Sequence, residues 1–391
     1  MRLDSVIVRF GGEIGIKGEW TRRVYERLLL QNIRKTLKYH NIIYAEIIRE
    51  WGRFYIKTGM VHETAQKLTK VFGISSVSPA IETSASMEKI LRRGVEMARE
   101  NFPTQTSFAV RCRRTGKHEY SSMDVCRKLG EQILTSLKDK RLRVDLKNPE
   151  HVINVEVRGE RAFLFSQTLS GVGGFPLGSQ PKLVGLLNDG IDSLVACWLV
   201  MKRGCPVTPV YFDNYPFTDK TVAKKVLETA KVLFEWAIGF PRKIYVVPNG
   251  ENLKMFQKKS AKALICILCK RTMYRIAERI AEREKAEGIV TGERIGERAN
   301  QTLQNLRVLD SAVAKYPVHR PLIGFNKQEI RDLAKKVGVY KASIEKAQGC
   351  SAVPAKSAIK AELEKIEKVE KRLDLQRIIE ETLEKTEILE I

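Results

Sequence analysis

The 391-residue sequence lacks any long apolar run and is short of acidic residues. No stretch approaches the roughly 20 apolar residues of a membrane-spanning helix. The opening MRLDSVIVRF carries neither a basic leader nor a small-residue cleavage site, so we expect no signal peptide and no membrane partner. Lys and Arg total 69 against 46 Asp and Glu, a formal net charge of +23. This excess favours an acidic polymer as partner, nucleic acid first, over a basic protein that is merely soluble.

Cysteine is also sparse, with seven residues. With no predicted leader, that number indicates a reducing, cytoplasmic compartment rather than a disulfide framework. Cys112, Cys126, Cys197 and Cys205 lie among apolar or strand-like neighbours, which is typical of buried, inert thiols. Hydrophobic residues make up 43% and charged residues 29% of the chain, which excludes global disorder and allows packed cores in two or three domains.

The first 168 residues predict two α+β units in tandem. In the first unit, a strand at 3–10 precedes a helix at 18–38 whose apolar positions recur at helical spacing. The second unit has helices near 87–101 and 122–137. The segment GVGGFPLGSQP follows, and its glycines and prolines predict a domain boundary at 171–181.

Beyond that segment, strands and helices alternate, which predicts a doubly wound parallel sheet. The predicted elements are strands at 182–187, 207–212, 243–247 and 288–291 and helices at 191–203, 219–236 and 267–285. Residues 356–386 place apolar side chains at helical spacing among Glu and Lys, which predicts a partner helix or a solvated capping helix. We therefore predict domains at 1–60, 61–168 and 180–355, and a C-terminal helix at 356–391.

The stretch GLLNDGIDSLVACWLV predicts a buried strand, a tight turn and an apolar helix. In doubly wound sheets, ligands lie at the carboxyl ends of strands, where backbone N–H groups and the helix dipole favour an anion. Gly190 allows close backbone approach, Ser193 offers a hydroxyl to a phosphate, and Asp192 can hold a metal ion or cap the helix. An ordinary Asp-capped turn has the same pattern.

Three cysteines stand apart from the other four. Cys266 and Cys269 form a C-x-x-C motif at the start of a predicted helix, and Cys350 follows in GCSAVP. Such a pair is typical of a redox centre, half a zinc site, part of an iron–sulfur ligand set, or buried helix thiols. The adjacent Lys270 and Arg271 would favour the thiolate form.

Basic residues cluster on the predicted strand at 107–114, which carries Arg111, Arg113 and Arg114, with Lys117 just beyond. Strand alternation places Arg111 and Arg113 on one face. Basic side chains on an α+β scaffold suit phosphate contacts and the shape recognition of folded RNA, although a charge run is also typical of a solvated face.

Four stretches resemble the tRNA 4-thiouridine synthetase family. They are RFGGEIGIKGEW, GVGGFPLGSQ, TGERIGERANQTLQNL and HRPLIGFNKQEI. The turn NDGIDS resembles the Ser-Gly-Gly-x-Asp-Ser loop of N-type ATP pyrophosphatases, and the matches run in order from residue 7 to about 355. The resemblance implies a ferredoxin-like α+β domain, a THUMP RNA-binding α+β domain and an α/β ATP pyrophosphatase domain.

That family adenylates the C4 oxygen of uridine 8 in tRNA with ATP and then replaces this oxygen with sulfur. The resemblance therefore implies tRNA, ATP and Mg²⁺ as ligands, sulfide or a cysteine desulfurase as sulfur donor, and a homodimer. It implies catalytic roles for Cys350, Asp192 and Ser193. The implied nucleotide contacts are Leu186, Leu187, Asn188, Asp189, Gly190, Asp192, Ser193, Tyr211, Phe212, Arg271, Gly292 and Gln301.

The C-x-x-C motif, in a chain without a C-terminal rhodanese domain, resembles one branch of the family. That branch implies a [4Fe–4S] cluster held by Cys266, Cys269 and Cys350, whose open iron presents hydrosulfide. The alternative is a persulfide on Cys350, with one cysteine of the pair resolving a disulfide. The THUMP resemblance also supports RNA contacts by the basic strand.

The loop departs from the family pattern at two positions, with Asn188 in place of Ser and Asp189 in place of the first Gly. Asp tolerates a left-handed backbone, so the turn can persist, but its carboxylate would repel a phosphate unless Mg²⁺ bridges them. We expect ATP-dependent activity to be retained. The alternatives are a tRNA-binding protein with a degenerate ATP site, and a same-fold enzyme that thiolates another nucleoside or serves thiamine thiazole synthesis.

Overall fold

The computed structural model describes residues 2–297, 301–340 and 349–391. The chain divides into two compact units, Met1–Gly174 and Phe175–Ile391. The division falls inside the Gly- and Pro-rich segment at 171–181.

The first unit is built on one sheet. Its strands are β1 Ser5–Phe10, β2 Glu46–Glu50, β3 Arg53–Lys57, β4 Ile74–Ser84, β5 Ser107–Thr115, β6 Arg143–Val144, β7 His151–Arg158, β8 Arg161–Phe165 and β9 Leu169–Ser170. Its helices are α1 Gly12–Gly15, α2 Glu19–Tyr39, α3 Val61–Leu68, α4 Met87–Asn101 and α5 Ser122–Ser136. The strand order is β2-β3-β1-β4-β8-β7-β5-β6, and β9 pairs with β4.

Strand β4 joins the two predicted α+β units. Its first part pairs with β1, where Ala80 lies opposite Ser5, and its last part pairs with β8, where Ile81 lies opposite Leu164. The two α+β units therefore share one continuous sheet. Helix α4 forms over the predicted residues and begins where the Ser86 side chain accepts a hydrogen bond from the Lys89 amide.

The second unit is the predicted doubly wound sheet. Its strands are β10 Leu183–Leu187, β11 Val207–Asp213, β12 Lys243–Pro248, β13 Ile289–Val290, β14 Val318–His319 and β15 Glu387–Glu390. Its helices are α6 Ile191–Lys202, α7 Lys220–Phe234, α8 Gly250–Lys259, α9 Ile265–Glu284, α10 Leu303–Asp310, α11 Lys327–Val337, α12 Leu363–Arg372 and α13 Leu375–Glu384. The strand order is β14-β13-β10-β11-β12-β15, parallel except for β15, which pairs antiparallel with β12.

The C-terminal segment differs from the single surface helix that the periodicity predicts. Asp374 adopts a left-handed backbone with φ 51° and separates α12 from α13, and the chain then adds the edge strand β15. Ile366, Val369 and Ile379 are buried in the main apolar core of the unit. The apolar stripe therefore packs inside this unit.

Within the described ranges, no helix is long and apolar enough to cross a membrane.

Candidate functional site

Parallel strands β10, β11, β12 and β13 end at one edge of the second unit's sheet. Helix α6 begins at this edge, at Ile191. Gly292, just after β13, packs against the helix start, since a Cβ there would lie 2.5 Å from the Ser193 backbone nitrogen. Only glycine allows this close approach, so Gly292 lets the chain after β13 pack against the turn that follows β10.

The Asn188 side chain closes the turn on itself. Its Oδ1 accepts hydrogen bonds from the Gly190 amide at 2.9 Å and from the Ser193 hydroxyl at 2.9 Å. The Asn188 backbone N–H in turn donates to Ser193 Oγ at 3.1 Å. Two donors that the sequence assigns to a phosphate are thus engaged by an amide oxygen of the loop itself.

Asp189 is half-buried and lies near Tyr211 of β11. Its φ is not positive, so the turn forms without the left-handed backbone conformation that an Asp at this position would tolerate. The Tyr211 hydroxyl lies 3.4 Å from Asp213 Oδ1. Burial, then the Asp213 carboxylate and more weakly that of Asp189, raise the pKa of the Tyr211 phenol. Two carboxylates and a phenol therefore meet beside the turn.

Arg294 is a site residue that the sequence reasoning missed. Its Nη2 lies 3.0 Å from Asp192 Oδ2 and 2.9 Å from a Glu297 carboxylate oxygen, and its side chain is buried. Asp192 therefore neither caps α6 nor stands alone, because it is paired with a cation. The available signal was position, since Arg294 follows the last residue of β13 by four and lies two residues after the predicted site residue Gly292.

Four of the other predicted nucleotide contacts are apolar or aromatic residues, and a fifth, Gln301, offers a hydrogen-bond acceptor. Leu187, Tyr211 and Phe212 are buried, and Leu186 packs against the apolar core that contains Phe212. Gln301 Oε1 is buried and has no hydrogen-bond partner among the residues that the structure describes.

Arg271 has another set of partners from the one predicted. Its guanidinium is fully buried and contacts both carboxylate oxygens of Glu370, with Nε at 2.7 Å and Nη2 at 3.0 Å. It also donates to the Val308 carbonyl and to Ser311. These contacts link α9 to α10 and α12, so the structure gives Arg271 a role in holding the C-terminal helices rather than an exposed place at the turn.

The three singled-out cysteines come together. Cys350 packs against the apolar core that contains Cys269, and Cys350 and Cys266 both lie near enough to Cys269 to help raise the pKa of its thiol. None of the seven cysteines, all within the described ranges, forms a disulfide. Burial raises the pKa of the Cys269 thiol to about 12. Lys270 does lower this pKa, in the direction that the sequence predicts, but burial outweighs it. Lys270 is also paired with Glu293, and Arg271 with Glu370.

Asn249, directly after β12, connects the sheet edge to this thiol. Its backbone amide donates to the Asp213 carbonyl at 2.8 Å, and its side-chain Nδ2 lies 3.3 Å from Cys269 Sγ. Asn252 donates to Asn249 Oδ1 and to Thr382 of α13. A chain of hydrogen bonds thus runs from the C-terminal helix to Cys269, and the sequence reasoning did not anticipate it.

Glu293 is the charged centre between the cysteines and the end of β13. Its carboxylate receives Lys270 Nζ at 2.8 Å, the Tyr274 hydroxyl at 2.5 Å and Arg320 Nε at 2.9 Å. Burial alone would raise the pKa of Glu293, but Lys270 and the other donors lower it to about 2. The group is therefore a fixed anion that holds α9 and the stretch after β14 at the site.

The cysteines fit a sulfur-liganded group in donor type. Among residues 2–297, 301–340 and 349–391, no three His, Cys, Asp or Glu side chains are arranged to hold one metal ion. In an iron–sulfur cluster, each cysteine binds its own iron, so the ligands lie farther apart than those that share one ion. Thiol chemistry and a cluster are both consistent with this donor set.

The basic strand of the first unit has the predicted alternation. Arg111 and Arg113 are exposed on β5, while Cys112 between them packs against the apolar core under α4 and α5. Arg114 donates to the Gly116 carbonyl at 2.7 Å and contacts His118, and Lys117 is exposed in the following turn. Arg111, Arg113 and Lys117 are thus exposed to solvent, while Arg114 also orders the turn.

Three family descriptions match the chain. The ThiI ferredoxin-like domain matches residues 5–78, the THUMP domain matches residues 84–167, and "Thiamine biosynthesis protein (ThiI)" matches residues 178–375. Together they match both units, with the second domain beginning at the end of β4.

Named relatives match along nearly the whole chain. A probable tRNA sulfurtransferase of Methanosarcina mazei is 37% identical, over 99% of this chain and 96% of the relative. One of Methanosarcina acetivorans is 38% identical, over 99% and 94%. A crystal structure of a 4-thiouridine synthetase–RNA complex with bound ATP is 33% identical and superposes with a TM-score of 0.90, covering 100% of both chains.

Proposed function

Because this chain belongs to the ThiI family, we propose that it is an ATP-dependent tRNA sulfurtransferase that converts uridine 8 of tRNA to 4-thiouridine. Its relatives are named probable tRNA sulfurtransferases, and a similar solved chain holds RNA and ATP. One observation carries the proposal within this chain. A path of hydrogen bonds leads from Tyr211 through Asp213 and Asn249 to Cys269, and the Asp189 carboxylate lies near enough to Tyr211 to help raise the pKa of its phenol.

In the first step, the C4 oxygen of the uridine attacks the α-phosphorus of ATP and pyrophosphate leaves. The start of α6 would face the phosphates, and the Gly190 amide and the Ser193 hydroxyl would bind them in place of Asn188 Oδ1. Gln301 Oε1, a buried acceptor, would receive an amino group such as that of adenine. This step makes the C4 oxygen part of a good leaving group, which a carbonyl oxygen alone is not.

Magnesium would lie on the Asp189 and Asp213 side of the turn. Asp192 is already paired with Arg294, whereas Asp189 and Asp213 face the Tyr211 phenol. Two carboxylates beside a polyphosphate require a cation between them, and oxygen ligands suit Mg²⁺. The charge of Asp189 would then assist the nucleotide site through the ion rather than repel the phosphates.

In the second step, a sulfur nucleophile adds at C4 and AMP departs with the former uridine oxygen. The three cysteines would deliver that sulfur. A [4Fe–4S] cluster bound by Cys266, Cys269 and Cys350 would supply a place to hold sulfide. Asn249 orients the Cys269 sulfur through its amide, and the burial of Cys269 excludes water from that side. The persulfide alternative uses the same three residues, with Cys350 carrying the sulfur.

The first unit would hold the tRNA. Arg111, Arg113, Arg114 and Lys117 would contact phosphates, so the affinity for tRNA should fall steeply as salt rises. We further propose a homodimer, and sulfide or a cysteine desulfurase as the sulfur source.

A tRNA-binding protein without turnover is the second candidate, favoured by one contact. Asn188 Oδ1 occupies two donors of the turn, as an anion would. Release of AMP and pyrophosphate from ATP, measured with and without tRNA, separates the two. The enzyme forms AMP only with tRNA, whereas a binding protein retains tRNA affinity and forms none.

A further inference from the structure

We propose that the loop after β11, together with Ser351, forms the pocket for the target base of the RNA; this inference rests on the proposed function. The loop encloses an open cavity of about 480 Å³ lined by Tyr215, Phe217, Thr218, Lys220 and Ser351, among others. That volume lies in the range of small-ligand pockets. The ligand class is a nucleobase with its sugar and phosphate.

The cavity lies between the two chemical centres of the site. At one end, the Tyr215 amide donates to Asp213 Oδ1 at 3.1 Å, which ties the loop to the end of β11. At the other end, the Ser351 amide donates to the Phe217 carbonyl at 2.8 Å, and the Ser351 hydroxyl lies 3.1 Å from the same oxygen. Ser351 follows Cys350 directly. A ligand here is therefore flanked by the nucleotide side and the sulfur side.

The lining suits a base rather than an apolar ligand. The Tyr215 ring is half exposed, and Lys220 Nζ lies 5.1 Å from its centroid. An accessible aromatic ring stacks with any base, and an ammonium group beside it suits a phosphate. Thr218 lines the cavity, and its buried Oγ1 has no hydrogen-bond partner in the described part of the chain.

Acid in the lining does not oppose this assignment. Asp219 also lines the cavity, but its Oδ1 accepts the Thr221 amide at 2.8 Å and caps α7. Its charge is thus directed toward the helix start, where the dipole favours an anion.

The test uses tRNA that already carries 4-thiouridine at the target position, because this base cross-links to its neighbours on near-ultraviolet irradiation. The full chain is irradiated with this tRNA, digested, and mapped by mass spectrometry. We expect cross-links within residues 215–220. Tyr215→Ala should lower their yield about tenfold, whereas Tyr215→Phe should retain it because the ring remains. Tyr39→Ala, at a comparably exposed tyrosine of α2, is the matched control.

Thiouridine formation on unmodified tRNA is measured in parallel, so that the two proposals fail separately. Turnover with cross-links only at other residues, or with bound tRNA that gives none, overturns the pocket and leaves the proposed function standing. Cross-links at 215–220 without turnover support the base pocket and contradict the sulfurtransferase. The wild-type map decides the pocket even if Tyr215→Ala fails to fold.

Discussion

The two ends of the parallel sheet in the second unit both gather charge, but they use it differently. At the amino end, the buried Glu284 carboxylate receives Lys182 Nζ at 2.9 Å, Lys243 Nζ at 2.6 Å and the Tyr245 hydroxyl at 2.6 Å. At the carboxyl end, carboxylates, an amide and thiols follow one another beside a cavity.

The difference teaches where to look for chemistry in such a sheet. Around Glu284, every charge is matched by a close partner, so the cluster joins β10, β11, β12 and α9 and stabilises the fold. At the opposite end, a buried acceptor on Gln301 and a buried hydroxyl on Thr218 have no partner within the described residues. Such groups cost stability unless a ligand satisfies them.

The largest effect should come from the sulfur centre. Cys350→Ser should reduce 4-thiouridine formation to below detection, because serine cannot carry sulfur or bind iron through a thiolate. Mass spectrometry of digested tRNA measures this. Cys205→Ser is the matched control, since Cys205 is also half-buried but lies just before β11 at the amino end. Equal losses in both variants would contradict a special role for Cys350.

Glu284 should matter for stability and not for chemistry. Glu284→Gln leaves Lys182 and Lys243 without their carboxylate, and the free energy of unfolding at neutral pH should fall by about 2–3 kcal/mol. Denaturant titration measures the loss. The affinity for ATP should be unchanged. A variant of normal stability that no longer binds ATP would contradict the claim that the amino end of the sheet serves only the stability of the fold.

The same carboxylate predicts a pH dependence. Although burial would raise the pKa of Glu284, hydrogen bonds from Lys243, Tyr245 and Lys182 lower it from 4.5 to about 2. A lowered pKa stabilises the folded state above pH 4.5, and this contribution is lost as the pH falls toward 2. The unfolding free energy of the wild type should therefore fall more steeply across this window than that of Glu284→Gln.

Replacing Asn249 should weaken the retention of iron at the three cysteines, an effect of intermediate size. Asn249→Ala removes the amide that faces Cys269 Sγ, and second-sphere losses of this kind weaken metal retention about tenfold or more. Iron per chain after anaerobic reconstitution and dilution into a chelator reports the change. Asn326→Ala, which removes the helix cap of α11, is a control for a general loss of stability. Identical iron retention in wild type and Asn249→Ala would remove Asn249 from the centre.

The smallest change should be a gain. Asn188→Ala frees the Gly190 amide and the Ser193 hydroxyl from the Asn188 oxygen, and ATP affinity should rise about fivefold, as expected for one hydrogen bond of about 1 kcal/mol. Isothermal titration with Mg·ATP measures it. A marked fall in affinity would mean that the Asn188 side chain shapes the bound state of the turn.

Local sequence patterns predicted the strand and the helix on either side of the turn, but they did not predict which distant residues form ion pairs. The strand before Asn188 and the helix from Ile191 follow from apolar runs and turn residues that lie close together in sequence. The pairing of Arg271 with Glu370 joins residues 99 positions apart, and neither residue has a neighbour that signals the other. The family resemblance implied a nucleotide contact for Arg271, and the sequence held no signal for the pairing through which the fold uses it to anchor α12.

The C-terminal segment shows the same limit. Helical spacing correctly indicated helix, but the break at Asp374 and the edge strand β15 depend on packing against α9 and β12. Thr382, which reaches Asn252 and through it Asn249, could not be recognised before the segment was placed. The cysteines were easier to single out, because the C-x-x-C motif drew attention to Cys266 and Cys269 and the family resemblance added Cys350.

The most direct test of the whole account is anaerobic incubation of the full chain with unmodified tRNA, Mg·ATP and sulfide, followed by nucleoside analysis and by measurement of AMP. The account predicts 4-thiouridine at position 8 with one AMP formed for each thiolated tRNA. Bound tRNA with neither AMP nor thiolated uridine would contradict it.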